Sequence, residues 1–361
     1  MILKLEIIDQ IRPVAREWLE RAADRQLRLT KPPASLGRLE EIANRLCAIQ
    51  ETLTPSVMKR EIFVFAADHG VCAENVSPYP SIVTAQMVTN FLRGGAAINA
   101  LAKVAKADLT IVDIGVKTEL TQSAANFIRA KVACGTKNIT RGAAMSEEEM
   151  QKAVEIGVRL AKNAKDNGVE LIGLGEMGIG NTTSAAAVTS ALLAIEPEQT
   201  VGRGTGADDA MLQNKVKIVK RALETNQPNG DDGFDVLQKL GGLEIAGLVG
   251  VCLGAASERA AIITDGFIAT AAAALAVKIC PSVSDYVFAS HQSVEPGHTA
   301  LLKFINQKPL LDLGMRLGEG TGAALAINLI ESAVTAFNEM ATFENASVSN
   351  PKNVDLNDQF I

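Results

Sequence analysis

Five short stretches of the chain are apolar at nearly every position, and each runs into a polar or glycine-rich break. They are Ile62-Phe63-Val64-Phe65-Ala66, which leads to Asp68-His69-Gly70; Leu109-Thr110-Ile111-Val112-Asp113-Ile114-Gly115; Val169-Glu170-Leu171-Ile172-Gly173; Ile262-Ile263-Thr264-Asp265-Gly266; and Tyr286-Val287-Phe288-Ala289. Short continuous apolar runs suit strands buried on both faces of a parallel sheet. Segments with helical spacing separate them, over 81–105, 146–167, 183–194, 207–224 and 322–340. In the last, Ile327, Ile330, Val334 and Phe337 recur three or four residues apart and draw a single apolar stripe. Strand–helix alternation predicts an α/β fold with a doubly wound sheet, in which ligands bind at the C-terminal ends of the strands.

The first part of the chain is patterned differently. Residues 4–27 and 35–53 read as two polar-faced helices joined by Lys31-Pro32-Pro33-Ala34-Ser35, where tandem prolines stop the first helix and Ser35 caps the second. The expected division is a small helical domain from residues 1–55 plus about 323–345, an α/β catalytic domain over 56–322, and a polar tail over 346–361.

Composition narrows the function classes. Aromatic residues are only 4% of the 361, while Gly and Ala are abundant, so the core is built from aliphatic and small side chains. The net charge is -6 and the Lys and Arg residues are scattered, which excludes a nucleic-acid groove, because phosphate neutralisation needs clustered cations. No stretch reaches the roughly 18 consecutive apolar residues of a membrane span, and the alanine-rich run from Ile268 to Val277 is too short. The N-terminus lacks a signal-peptide layout. Cys47, Cys72, Cys134, Cys252 and Cys280 are odd in number, far apart and without a CxxC, and read as reduced core residues of a cytoplasmic protein.

Three loops share a chemistry: Gly173 to Thr183, Gly202-Arg203-Gly204-Thr205-Gly206, and Gly318-Glu319-Gly320-Thr321-Gly322. Each precedes a predicted helix. Glycines let the backbone approach a ligand, and the free N–H groups of the following helix attract an anion. Thr182, Thr183 and Thr321 add hydroxyl donors or act only as caps. Residues 173–178 match GxGxxG, but Glu176 inside such a turn would repel a pyrophosphate, and Glu196 and Glu198 flank Pro197 rather than ending a second strand. A single phosphate and its ribose suit these loops better. Glu319, between two glycines in an apolar neighbourhood, is a candidate proton acceptor, because partial burial raises a carboxylate pKa; its other role is favourable placement at a helix N-terminus. Glu176 has the same two readings. Lys215 reads first as a solvated helix cation, and alternatively as a point charge for phosphate. His69 at a strand end suits either a ligand site or a structural hydrogen bond. His291 and His298, around Ser293 and Glu295, lack zinc-site spacing.

Together these segments resemble the nicotinate-nucleotide–dimethylbenzimidazole phosphoribosyltransferase family across nearly the whole chain. The resemblance rests on Lys31 to Glu40, Ala67-Asp68-His69-Gly70-Val71, Val76 to Pro80 with Val83 to Met87, Gly175 to Thr183, Gly202 to Gly206, Gly241 to Gly247, Ser293 to His298 and Gly318 to Gly322. It implies a Rossmann-like sheet with a smaller helical domain, a homodimer, and no cofactor or metal. It also implies transfer of the phosphoribosyl group of nicotinate mononucleotide to 5,6-dimethylbenzimidazole, giving α-ribazole 5′-phosphate and nicotinate. The family's catalytic glutamate falls on Glu319 and its second functional glutamate on Glu176. Gly178, Gly180, Asn181, Thr182, Gly204, Thr205, Gly206, Lys215, Ser293, Gly320 and Thr321 are expected around the nucleotide, and Tyr79, Gln86, Met87 and Leu317 around the base. Two departures are Ala34, where the family motif has glycine, and Ala143-Ala144-Met145, where Pro-Ala-Met is common. A nicotinamide-dependent oxidoreductase, resting on residues 173–178, and a non-catalytic nucleotide-binding protein are the alternatives.

Overall fold

The apolar runs become the strands of one six-stranded, all-parallel sheet in the order β3-β2-β1-β4-β5-β6. The computed structural model describes residues 2–349; positions 350–361 of the expected tail lie outside the described residues. In chain order the elements are α1 (Ile2–Gln10), α2 (Arg16–Arg28), α3 (Arg38–Gln50), β1 (Arg60–Ala67), α4 (Ile82–Leu92), α5 (Ala97–Val104), β2 (Asp108–Gly115), β3 (Phe127–Arg129), α6 (Glu147–Asp166), β4 (Leu171–Met177), α7 (Asn181–Leu193), α8 (Pro197–Thr200), α9 (Asp209–Asn226), α10 (Gly233–Leu240), α11 (Leu243–Ser257), β5 (Ala261–Thr264), α12 (Phe267–Ile279), β6 (Val287–Ala289), α13 (Gly297–Phe304) and α14 (Thr321–Glu339). This is the doubly wound arrangement, and its order reverses between β1 and β4, the crevice where such sheets hold ligands.

Side chains alternate across the sheet. On one face Ile62 and Gly173 meet α14 and α5; on the other Phe65 and Ile114 meet Gly247 of α11. Behind α11, helix α6 approaches main chain to main chain. A methyl group on Gly157 would sit 1.9 Å from Gly247 O, and one on Gly250 would sit 2.0 Å from Val154 O. Helix α6 starts where Ser146 predicts: Ser146 Oγ accepts the Glu149 N–H at 3.1 Å while Glu149 Oε2 accepts the Ser146 N–H at 2.7 Å, a reciprocal cap.

Helices α2 and α3 pack together beside α14, which also lies on β4 and β5, while α1 lies on α11. Arg25 of α2 donates to the Phe337 and Asn338 carbonyls of α14, and Arg60 of β1 forms a two-pronged ion pair with Glu331 at 2.9 and 3.0 Å. Lys31 and Glu40 pair at 2.6 Å, buried where the tandem prolines join the two helices.

Several expectations are corrected. The 4–27 helix is two helices, broken over 11–15, where Pro13 removes a donor. Ser35 does not cap α3; it lies in a turn that donates to Pro32 O, and Gly37 is the cap. The 81–105 helix is interrupted at Gly94, which turns left-handed at φ 78°. Ala34 has φ 57°, so alanine occupies a left-handed position here. Cys47, Cys252 and Cys280 are buried as expected, but Cys72 is half-buried and Cys134 exposed. The three-residue β3 is too short to signal itself. Among the described residues no helix is long and apolar enough to cross a membrane.

Candidate active site

Strand β4 ends beside β1, with Phe65 opposite Glu176 and Ala66 opposite Met177. Glu176 is therefore on the strand, not inside a turn. Gly173 and Gly175 lie within β4 as well, so the GxGxxG match does not form a dinucleotide loop. Beyond it Gly178 passes so close to β1 that a methyl group there would sit 2.5 Å from Ala67 O. A cavity of about 570 Å³ opens over this point.

Two buried carboxyls line its depth. Burial first, then the charges of Asp265 and Glu244, push Glu176 up to about 8, against the hydrogen bond donated by Asn181 Nδ2. Burial and Asp265 also raise Glu319, whose Oε2 accepts the Ile98 N–H at 3.4 Å. The backbone of Glu319 is unusual: Gly318, Glu319 and Gly320 run left-handed at φ 86°, 65° and 89°. For a residue with a Cβ that conformation costs roughly 1–2 kcal/mol, so the turn is held from outside. Asp265, one residue beyond β5, does this: Oδ2 accepts the Gly320 N–H at 2.9 Å and Oδ1 the Gly322 N–H at 2.6 Å. Gly318 carries no side chain that could fit, since a methyl group there would meet Glu176 Oε1 at 2.4 Å.

One wall is the N-terminus of α7, where Gly178, Asn181 and Thr182 face the cavity. Gly180 caps this helix at φ 94° and brings no side chain to it. Behind the wall lies Lys215, which is 1% exposed rather than solvated. Its Nζ donates to Gly202 O at 2.8 Å and Thr182 Oγ1 at 3.2 Å. Burial lowers it to about 8, partly offset by Glu295. Gly204 and Thr205 continue the wall; the Gly204 N–H donates to Glu295 Oε1 at 2.8 Å and its carbonyl accepts from Arg316 at 3.1 Å. Tyr79, Val83, Met87 and Leu317 form an apolar rim of the same cavity, with Tyr79 49% and Leu317 58% exposed.

The expected residues are thus mostly gathered. Glu176, Glu319, Gly178, Asn181, Thr182, Gly204, Thr205, Ser293, Tyr79, Met87 and Leu317 line the cavity. Six do not. Lys215 lies one layer behind. Gly180 and Gly320 are helix caps beneath the lining. Thr321 turns its hydroxyl back onto Gly318 O at 2.8 Å. Gly206 borders a neighbouring cavity of about 360 Å³. Gln86 is exposed; Val83 and Met87, four apart on α4, take the cavity face instead.

The histidines resolve differently. His69 is buried and bonded to Glu244 Oε1 at 2.6 Å, outside the cavity lining. His298 accepts the Ser293 N–H on Nδ1 and faces Thr270 Oγ1 with Nε2; burial and His291 hold its pKa near 3, so it is neutral. His291 lines the cavity with Nε2 3.6 Å from Asp265 Oδ1; burial pulls its pKa down, but Asp265 outweighs it.

Asp265, Glu295, Arg316 and Phe267 were missed as site residues. Asp265 had a signal, being the first acid after a buried strand; Arg316 had none.

Fold and cavity together define an α/β enzyme whose switch point joins a helix N-terminus and a buried lysine to a pair of buried carboxyls. A family model described as phosphoribosyltransferase matches residues 11–348. Proteins named nicotinate-nucleotide–dimethylbenzimidazole phosphoribosyltransferase are similar over nearly full length: that of Geobacter metallireducens is 49% identical over 96% of this chain and 98% of its own, and that of Chloroflexus aggregans 48% over 98% and 99%. The crystal structure of the enzyme so named from Thermus thermophilus superposes with a TM-score of 0.88 at 44% identity, covering 93% of this chain and 99% of that one. The chain belongs to the phosphoribosyltransferase family, and is a glycosyltransferase-type enzyme.

Proposed function

We propose that the enzyme transfers the phosphoribosyl group of nicotinate mononucleotide to 5,6-dimethylbenzimidazole, giving α-ribazole 5′-phosphate and nicotinate. The observation that carries this reading is that Glu319, buried and of raised pKa, lines one cavity together with the N-terminus of α7 and the apolar side chains of Tyr79, Val83, Met87 and Leu317. The names of the relatives supply the substrates.

The nucleotide phosphate docks on the N–H groups around Gly178, Asn181 and Thr182, beside Gly204, Thr205 and Ser293, with Lys215 as counter-charge behind Thr182. The anomeric carbon then faces the rim. Tyr79, Val83, Met87 and Leu317 hold the benzimidazole so that its N–H points at Glu319. One ring nitrogen attacks the anomeric carbon, its bond to the pyridine nitrogen breaks, and Glu319 takes the proton from the other nitrogen. Attack opposite the leaving group inverts β to α in one displacement. Nicotinate leaves from a ring nitrogen that was already cationic, so the step calls for no metal. Alignment of two bound reactants supplies up to roughly 7–11 kcal/mol, and the general base about 10²–10⁴-fold. Glu176, at about 8, is protonated near neutrality, which favours a hydrogen-bond donor that orients the ligands over a carrier of negative charge. The homodimer implied by the resemblance belongs to this proposal, and equilibrium sedimentation tests it.

The decisive experiment incubates the enzyme with nicotinate mononucleotide and a panel of bases, including benzimidazole, adenine and phenols, with mass spectrometry of the products. The expected result is nicotinate release with a benzimidazole ribotide. Tight nucleotide binding without release for any base would overturn the reading in favour of a non-catalytic binder.

A further inference from the structure

We propose that Asp265 is a positioning residue for this reaction: it fastens the left-handed turn that carries Glu319, and by filling the N-terminus of α14 it keeps the substrate's phosphate away from the base. The inference rests on the reading above and deepens it. Asp265 is 1% exposed and follows directly on β5, a strand buried along its whole length. Its own carbonyl is pinned by the Ser290 hydroxyl at 2.9 Å, so its side chain is launched from a fixed point. Both carboxylate oxygens are spent on α14, one on the Gly320 N–H and one on the Gly322 N–H. These are the groups that a phosphate would otherwise take. The same bonds brace three successive left-handed residues, the middle one being Glu319. Release of the clamp lets residue 319 relax to an ordinary conformation and swing its carboxylate off the base.

An amide in place of the carboxylate keeps the shape but cannot accept from two N–H groups, since one of its arms donates. Asp265→Asn is therefore expected to lower kcat at least thirtyfold while the KM for nicotinate mononucleotide stays within threefold. The charge matters too. Asp265 faces Glu319 on the turn, Glu176 on β4 and His291 beyond β6, while Glu319 faces Glu176, Asp265 and the Ile98 N–H of α5. Loss of the Asp265 charge, and of the burial that the clamp maintains, lowers the pKa of Glu319, so the acid limb of kcat moves to lower pH.

The test measures both variants and their combination in the intact enzyme. In a Glu319→Gln background, Asp265→Asn is expected to cost less than threefold further, because its effect passes through Glu319. Full additivity, a kcat within threefold of wild type, or an unmoved acid limb each overturns the proposal. If Asp265→Asn does not fold, Ser290→Ala decides: kcat falls at least threefold at unchanged nucleotide KM, and wild-type kcat overturns the proposal. A wild-type enzyme that forms no ribotide at all would instead refute the parent reading.

Discussion

Two turns of this molecule are near twins and do opposite things. Each lies at the C-terminal edge of the sheet, one leaving β4 and the other crossing beside Gly175, each ends in a glycine cap of similar backbone angle, Gly180 at 94° and Gly320 at 89°, and each opens a helix. At α7 no side chain accepts from the first-turn N–H groups among the described residues, and Asn181 and Thr182 face the cavity. At α14 a carboxylate from the neighbouring strand has taken those groups. The residue before the cap differs as well: Ile179 donates its N–H to Thr84 Oγ1, whereas Glu319 enters the cavity in a left-handed conformation. One turn is left open for an anion and the other is closed so that it can present an acid. A glycine-rich loop before a helix is thus an anion site only when nothing in the fold has already filled it.

The largest expected effect separates the turns by chemistry. Glu319→Gln keeps the turn and removes the proton acceptor; kcat falls on the order of 10²–10⁴-fold, while nucleotide binding, measured by calorimetry, survives. Turnover within about threefold of wild type would deny the acid its role, since a general base is worth far more. Lys215→Met strikes the other turn. Loss of the charge behind Thr182 and of its charge-assisted bond to that wall residue, about 1.5–3 kcal/mol, raises the KM for nicotinate mononucleotide roughly tenfold or more at low salt and leaves the KM for the base unchanged.

pH should separate them again. Glu319 works deprotonated, and its pKa is raised by burial and Asp265, so kcat falls as pH drops through a value above the ordinary 4.5. Lys215 works protonated and stands at about 8 in the free enzyme, so kcat/KM for the nucleotide falls as pH rises through 8. Glu176, also at about 8, gains its charge in the same range beside Glu319. An acid limb at or below 4.5 in a profile from pH 4 to 10 would mean that Glu319 is not the titrating base. The smallest effect belongs to the rim. Leu317 is more than half exposed, so Leu317→Ala costs only about 1 kcal/mol of apolar contact; the KM for dimethylbenzimidazole rises about fivefold and that for the nucleotide does not move.

Much of this was legible in the chain. Buried parallel strands announce themselves as unbroken apolar runs, and the sheet followed from them. Glu319 could be singled out because an acid between two glycines is rare in an apolar setting. Other features had no local signature. Lys215 sits on an amphipathic helix where any lysine looks solvated, and only the packing of α9 against α7 buries it. Gln86 and Val83 exchange roles because the face of α4 that meets the cavity is set by the sheet beneath it. Glu176 reads as a turn residue in the sequence because β4 runs four residues further than its apolar stretch. Ala34 is instructive in reverse: the motif's glycine signals a left-handed backbone, and the alanine keeps that backbone at φ 57° against its own preference.

The seam between α6 and α11 carries a mechanical consequence. Helices that meet backbone to backbone have no side chains left to compress, so the far side of the sheet acts as an anvil behind β1 and β4. That seam backs the strands whose tips hold Glu176 and lead into the Gly178 crossing. A single methyl group at Gly157, remote from every reacting atom, would sit 1.9 Å from Gly247 O and push α11 against Phe65 of β1.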